Sequence, residues 1–115
     1  MKNTLEFQVL VRDEVVAEVV VREDRTVDVK QYTNNPIEKP FPMSDPTIKD
    51  VSEFLRSRCF PEERANKKEL LGALGLEHYI PLNIVRETHG VMFEDYLWIR
   101  FRGETLQYDD VKIRD

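Results

Sequence analysis

Apolar and polar residues alternate along the first thirty positions. Leu5, Phe7, Val9 and Val11 interleave with Glu6, Gln8, Leu10 and Arg12; Val15, Ala17, Val19 and Val21 interleave with Val16, Glu18, Val20 and Arg22. A period of two belongs to strands with one dry face, so the spacing predicts a hairpin that turns at Asp13-Glu14. Leu10, Val16 and Val20 make the second face partly apolar, and cover is expected there near the middle. Glu23-Asp24-Arg25 signals another turn, and residues 26–31 a third strand with Val27 and Val29 inward. The chain therefore begins as an antiparallel meander.

Residues 33–45 break the pattern. Asn34, Asn35, Pro36, Pro40, Pro42 and Asp45 oppose regular structure, with Ile37, Phe41 and Met43 expected to pin the stretch to the body. The period then becomes helical. Asp45 or Thr47 can cap a first helix, Thr47 and Asp50 have capping-box spacing, and Ile48, Val51, Phe54 and Leu55 form its apolar stripe. Phe60 before Pro61 ends it near Cys59. A second helix starts after Pro61 or at Asn66, where Asn66 and Glu69 again have box spacing. It buries Leu70, Leu71 and Leu74 and stops at Gly75, with Leu76 packing back. A third runs from about Pro81 to Thr88 on Leu82, Ile84 and Val85.

Val91 and Phe93 are expected to lead into a final strand around the lone tryptophan. There Leu97, Ile99 and Phe101 point one way, and Tyr96, Trp98, Arg100 and Arg102 the other. Gly103-Glu104 turns the chain, and Leu106, Tyr108, Val111 and Ile113 form a last short strand or a tail against the sheet. The fold class that follows is α+β: an N-terminal antiparallel β-meander, a central three-helix block, and a C-terminal strand or hairpin completing the sheet.

At 115 residues this is one domain, residues 1–115. The single Cys59 cannot form an internal disulfide and fits a reducing compartment. No apolar run reaches the length of a membrane span and no secretory signal is visible, so a cytoplasmic protein is expected. The formal charge of −5 disfavours broad binding to nucleic acid and suits a surface that blocks a basic groove on another protein.

The inventory for chemistry is thin. His78 and His89 belong to no spaced metal motif. Cys59 lies near Arg56, Arg58 and Arg64, which can depress a thiol pKa, yet Cys59-Phe60-Pro61 reads better as a packed corner. Glu62-Glu63, Glu94-Asp95 and Asp109-Asp110 follow no calcium-loop pattern. Glycines 72, 75, 90 and 103 are too scattered to cradle phosphates. No catalytic residue, cofactor or metal is expected.

Two sets of residues remain as candidates for touching a partner. Tyr96, Trp98, Arg100 and Arg102 carry two rings and two guanidinium groups on one strand face; Trp, Tyr and Arg dominate interface hot spots. Trp98 is expected to be partly buried, with Arg100 and Arg102 reaching solvent beyond it. Arg56, Arg58, Arg64, Lys67 and Lys68 bracket the turn at Pro61 and could hold a phosphate or an acidic strand, although Glu53, Glu62, Glu63 and Glu69 are interleaved and local ion pairs explain them as well.

Three segments together resemble small bacterial and phage-borne proteins encoded beside, or fused in front of, HipA-like kinases: RCFPEER at 58–64, GLEHYIP at 75–81 and THGVMFEDYLWIRF at 88–101. The likeness covers about the last two-thirds of the chain and brings no catalytic residue with it. It implies a noncatalytic companion of a separate kinase, antitoxin-like or inhibitor-like, binding and blocking a protein partner such as a HipA-like kinase. A close variant is a phage-encoded inhibitor, of anti-CRISPR type, of a host defence nuclease. The alternative from the residues themselves is a nucleic-acid-binding accessory protein using the basic cluster from Arg56 to Lys68.

Overall fold

The computed structural model describes residues 2–112. Strands β1 (Asn3–Val11), β2 (Glu14–Arg22) and β3 (Val27–Gln31) form the meander, followed by helices α1 (Ile48–Ser57), α2 (Lys67–Ala73) and α3 (Pro81–Thr88), strand β4 (Leu97–Phe101) and a short helix α4 (Tyr108–Val111). The sheet order is β3-β2-β1-β4, antiparallel throughout. The α+β reading holds. β4 enters as a single strand beside β1, and the last segment is a tail ending in one helical turn; Ile113 lies outside the described residues.

Phe7, Val9, Val19, Ile99 and Phe101 line one face of the sheet and pack on Val51, Leu55, Ile84 and Val85 of the helices. The register sets the aromatic pair: Phe7 lies opposite Phe101 and their ring centroids are 6.0 Å apart. A bulge shifts the β1–β2 register between Val9 and Leu10, bringing the extra residue, Val16, into the core.

Local chemistry explains the helix ends. The Thr47 hydroxyl accepts from the Asp50 amide while the Asp50 carboxylate accepts from the Thr47 amide, the expected capping box. At Asn66 no box forms, because its ψ of 27° is not the extended geometry a capping side chain needs. Gly75, at φ 76°, closes α2, with the Leu76 amide donating back to the Leu71 carbonyl at 2.8 Å. The helix α3 ends on two successive left-handed residues, His89 at φ 57° and Gly90 at φ 68°.

Three expectations shift. The first hairpin turns at Arg12-Asp13, since Val11 pairs Glu14 and Arg12 takes the left-handed conformation. In the 33–45 stretch only Phe41 is a pin: the Gln31 amide side chain bonds both its N–H and its C=O, and its ring lies 5.2 Å from that of Phe54. Ile37, 86% exposed, and Met43 stay at the surface. Phe93 does not lead into β4; it stands in a loop and is 80% exposed.

Candidate interaction surface

The predicted strand face does not survive as one surface. Trp98 is completely buried, a correction to its place as a contact residue. It lies opposite Leu10, and its indole N–H donates to the Arg12 carbonyl at the hairpin tip. The C-terminal tail returns across this end of the sheet. Arg100 donates through Nη1 to the Leu106 carbonyl at 3.0 Å, and the Tyr108 amide donates to Asp13 Oδ1 at 2.8 Å. Arg100 is consumed further by Gln8, whose Oε1 accepts from its Nε at 2.9 Å and its Nη2 at 2.7 Å. Tyr96 is half exposed, with the Arg12 guanidinium 4.2 Å above its ring and Tyr108 at its edge. Arg102 is the most exposed of the four and pairs with Glu6.

The basic cluster divides in the same way. Arg58 is 7% exposed and belongs to the interior, a second correction. Its Nε donates to the Gly90 carbonyl at 2.8 Å, Nη1 and Nη2 reach the two Asp95 oxygens at 2.8 Å each, and Nη2 also donates to the Leu97 carbonyl at 2.9 Å. A bidentate, charge-assisted pair of this kind fixes direction as well as distance. The Arg58 bond holds the Asp95 carboxyl below its ordinary pKa against the opposing effect of burial, and the Leu97 amide adds to it. A signal for this existed in the sequence. Positions 48, 51, 55 and 58 continue one helical stripe, so Arg58 falls where an apolar residue belongs, and only a charged partner from elsewhere makes that tolerable.

The remaining basic residues stay outside. Arg56 bonds Glu62 at 2.6 Å and lies 5.6 Å from the Tyr79 ring. Arg64, Lys67 and Lys68 surround the start of α2 among Glu62, Glu63 and Glu69. Cys59 is buried, its thiol directed at the Leu55 and Pro81 carbonyls, and burial pushes its pKa up to about 11. That environment makes it a poor nucleophile. His89 meets Glu104, with Nε2 and Oε2 2.9 Å apart.

What the Arg58 clamp creates is a groove. Arg58, the Gly90 turn and Asp95 tie the α1–α2 corner to the loop before β4. Between them lies a depression of about 330 Å³ floored by Cys59 and Ile84 and bordered by Phe60, Pro61, Val91, Met92 and Phe93, with Arg64 and Glu94 at its rim. Tyr79 braces the corner, its hydroxyl donating to the Phe60 carbonyl at 2.6 Å and the two rings meeting edge to face. Segments 75–81 and 88–101 thus each pack on segment 58–64. Of the predicted contact residues the groove gathers only Arg64 as an exposed member; Phe60, Met92 and Phe93 are additions. Phe93 could have been suspected from its neighbours Glu94-Asp95, which interrupt the alternation before Leu97.

No protein family, curated protein or solved structure matches this chain. No helix among the described residues is long and apolar enough to cross a membrane.

Proposed function

We propose that the chain is a noncatalytic regulatory module that binds a partner protein and blocks it, using the groove around Phe93 as its contact. The observation that carries this reading is a large aromatic side chain, 80% exposed, on a loop anchored by a bidentate ion pair to a buried arginine. Leaving an aromatic in water on an anchored loop forgoes the gain of burying it, and an apolar patch with charged residues at its rim is the usual form of a contact site. Cys59 and His89, the side chains best suited to chemistry, are engaged in internal contacts. The partner class comes from the resemblance of the three segments to companions of HipA-like kinases; a host defence nuclease is the second candidate of the same class.

The basic cluster supports a nucleic-acid reading less well, because Arg58 is internal and Arg56 is paired with Glu62. The test is capture of stoichiometric partners from native cells with the wild-type chain and with Phe93→Ala and Arg64→Glu. Loss of a hot-spot aromatic should weaken partner binding at least about tenfold while circular dichroism stays unchanged. Undiminished capture by the doubly substituted, folded chain would refute the groove as the contact.

A further inference from the structure

The outer edge of β3 carries an unused set of backbone groups. The Arg22 amide bonds the Thr26 carbonyl and the Tyr32 amide bonds the Val16 carbonyl. These two bonds fix the parity of the β2–β3 ladder: even-numbered residues of β3 face β2, and Val27, Val29 and Gln31 direct their N–H and C=O groups away from it. Among the described residues none of those groups has a hydrogen-bond partner. Val27 and Val29 are also only half-buried on the core side.

The side chains between them select an occupant. A strand added antiparallel to this edge must place its own outward-facing residues opposite Val27, Val29 and Gln31. When the added strand is β3 of a second copy, the registers differ in charge. Pairing Val27 with Val29 sets Asp28 against Asp28. Pairing Val29 with Gln31 sets Lys30 against Lys30. Centring the two-fold on Val29 pairs Val29 with Val29 and Val27 with Gln31 in both directions, and sets Asp28 of each copy opposite Lys30 of the other. That register uses every free group of the strand and converts both charged positions into cross-strand pairs of opposite sign. Both side chains are exposed; Asp28 already pairs with Arg22 of β2 and keeps a second carboxylate oxygen for a cross-strand partner, while Lys30 forms no ion pair among the described residues.

We propose that the chain forms a two-fold dimer through β3, joining two four-stranded sheets into one, by isologous edge pairing centred on Val29. The surface is distinct from the groove around Phe93, so the dimer presents two copies of that groove.

Sedimentation over about 1 μM to about 1 mM protein tests this. A reversible monomer–dimer equilibrium is expected; a monomer throughout overturns it. Val29→Pro removes the central donor without touching the β2–β3 ladder and should leave a folded monomer, whereas a folded Val29→Pro chain that still dimerises overturns the proposal. Should that variant fail to fold, the charges decide. Asp28→Lys and Lys30→Asp each create like-charge pairs and should each weaken self-association roughly tenfold, while their mixture should form heterodimers. Heterodimers no more stable than either homodimer would contradict the register. A chain that stays monomeric yet takes up an added extended peptide at β3 would also overturn a second copy as the occupant.

Discussion

On β4 the outward-facing amides of Leu97, Ile99 and Phe101 end on Asp95 Oδ1, the His89 carbonyl and Glu104 Oε1, while the Leu97 carbonyl receives Arg58. On β3 the corresponding groups of Val27, Val29 and Gln31 end on no acceptor or donor among the described residues. The contrast shows how this small sheet handles its two edges. At β4 the chain after α1, the end of α3 and the turn after the strand all contribute a group, so sealing the edge also fastens the helical block to the sheet. At β3 only Asp28 and Lys30 guard the edge, and they guard it against some registers while permitting one.

Proline exposes the difference most strongly. Ile99→Pro removes a used N–H and a fully buried side chain and should cost more than about 3 kcal/mol, enough to unfold a marginal domain in a denaturant titration. Val29→Pro removes an unused N–H and should cost about 1 kcal/mol or less in the monomer. Equal losses at the two positions would abolish the distinction.

Arg58→Met tests the seal itself. It leaves Asp95 without its cation and the Gly90 and Leu97 carbonyls without donors, for a loss of about 3 kcal/mol by chemical denaturation, and should release the loop that carries Phe93. Gly90→Ala is smaller in reach. An added Cβ would come within 3.1 Å of Arg58 Cβ at a φ of 68°, and a loss of about 1–2 kcal/mol is expected.

The acid dependence is smaller still. Because the Asp95 pKa is lowered on folding, the stability it contributes is complete above the unfolded value near 3.8 and is lost as the pH falls through the folded value. The difference in melting temperature between wild type and Asp95→Asn should therefore narrow below that pH. A constant difference across the range would mean that Asp95 does not titrate with folding.

The strands and helices were legible because alternation and helical stripes are local. The same stripe held Arg58, but its meaning depended on Asp95, thirty-seven positions away, and no local pattern specifies such a partner. Trp98 was misplaced for a related reason. Its strand shows the right period, but the hairpin tip at Arg12 and the tail at Leu106 decide whether its face is wet. The groove proposed as the contact was less legible than the fold, since it consists of what the Arg58 clamp leaves uncovered between two segments that meet only in three dimensions.

Amide hydrogen exchange resolved to single residues, followed in dilute and in concentrated protein, tests the contrast between the edges most directly. The amides of Leu97, Ile99 and Phe101 should exchange slowly at every concentration, while those of Val27, Val29 and Gln31 should exchange fast when dilute and slow as the protein is concentrated. Similar protection on both edges in dilute solution, or fast exchange at Ile99, would contradict the account.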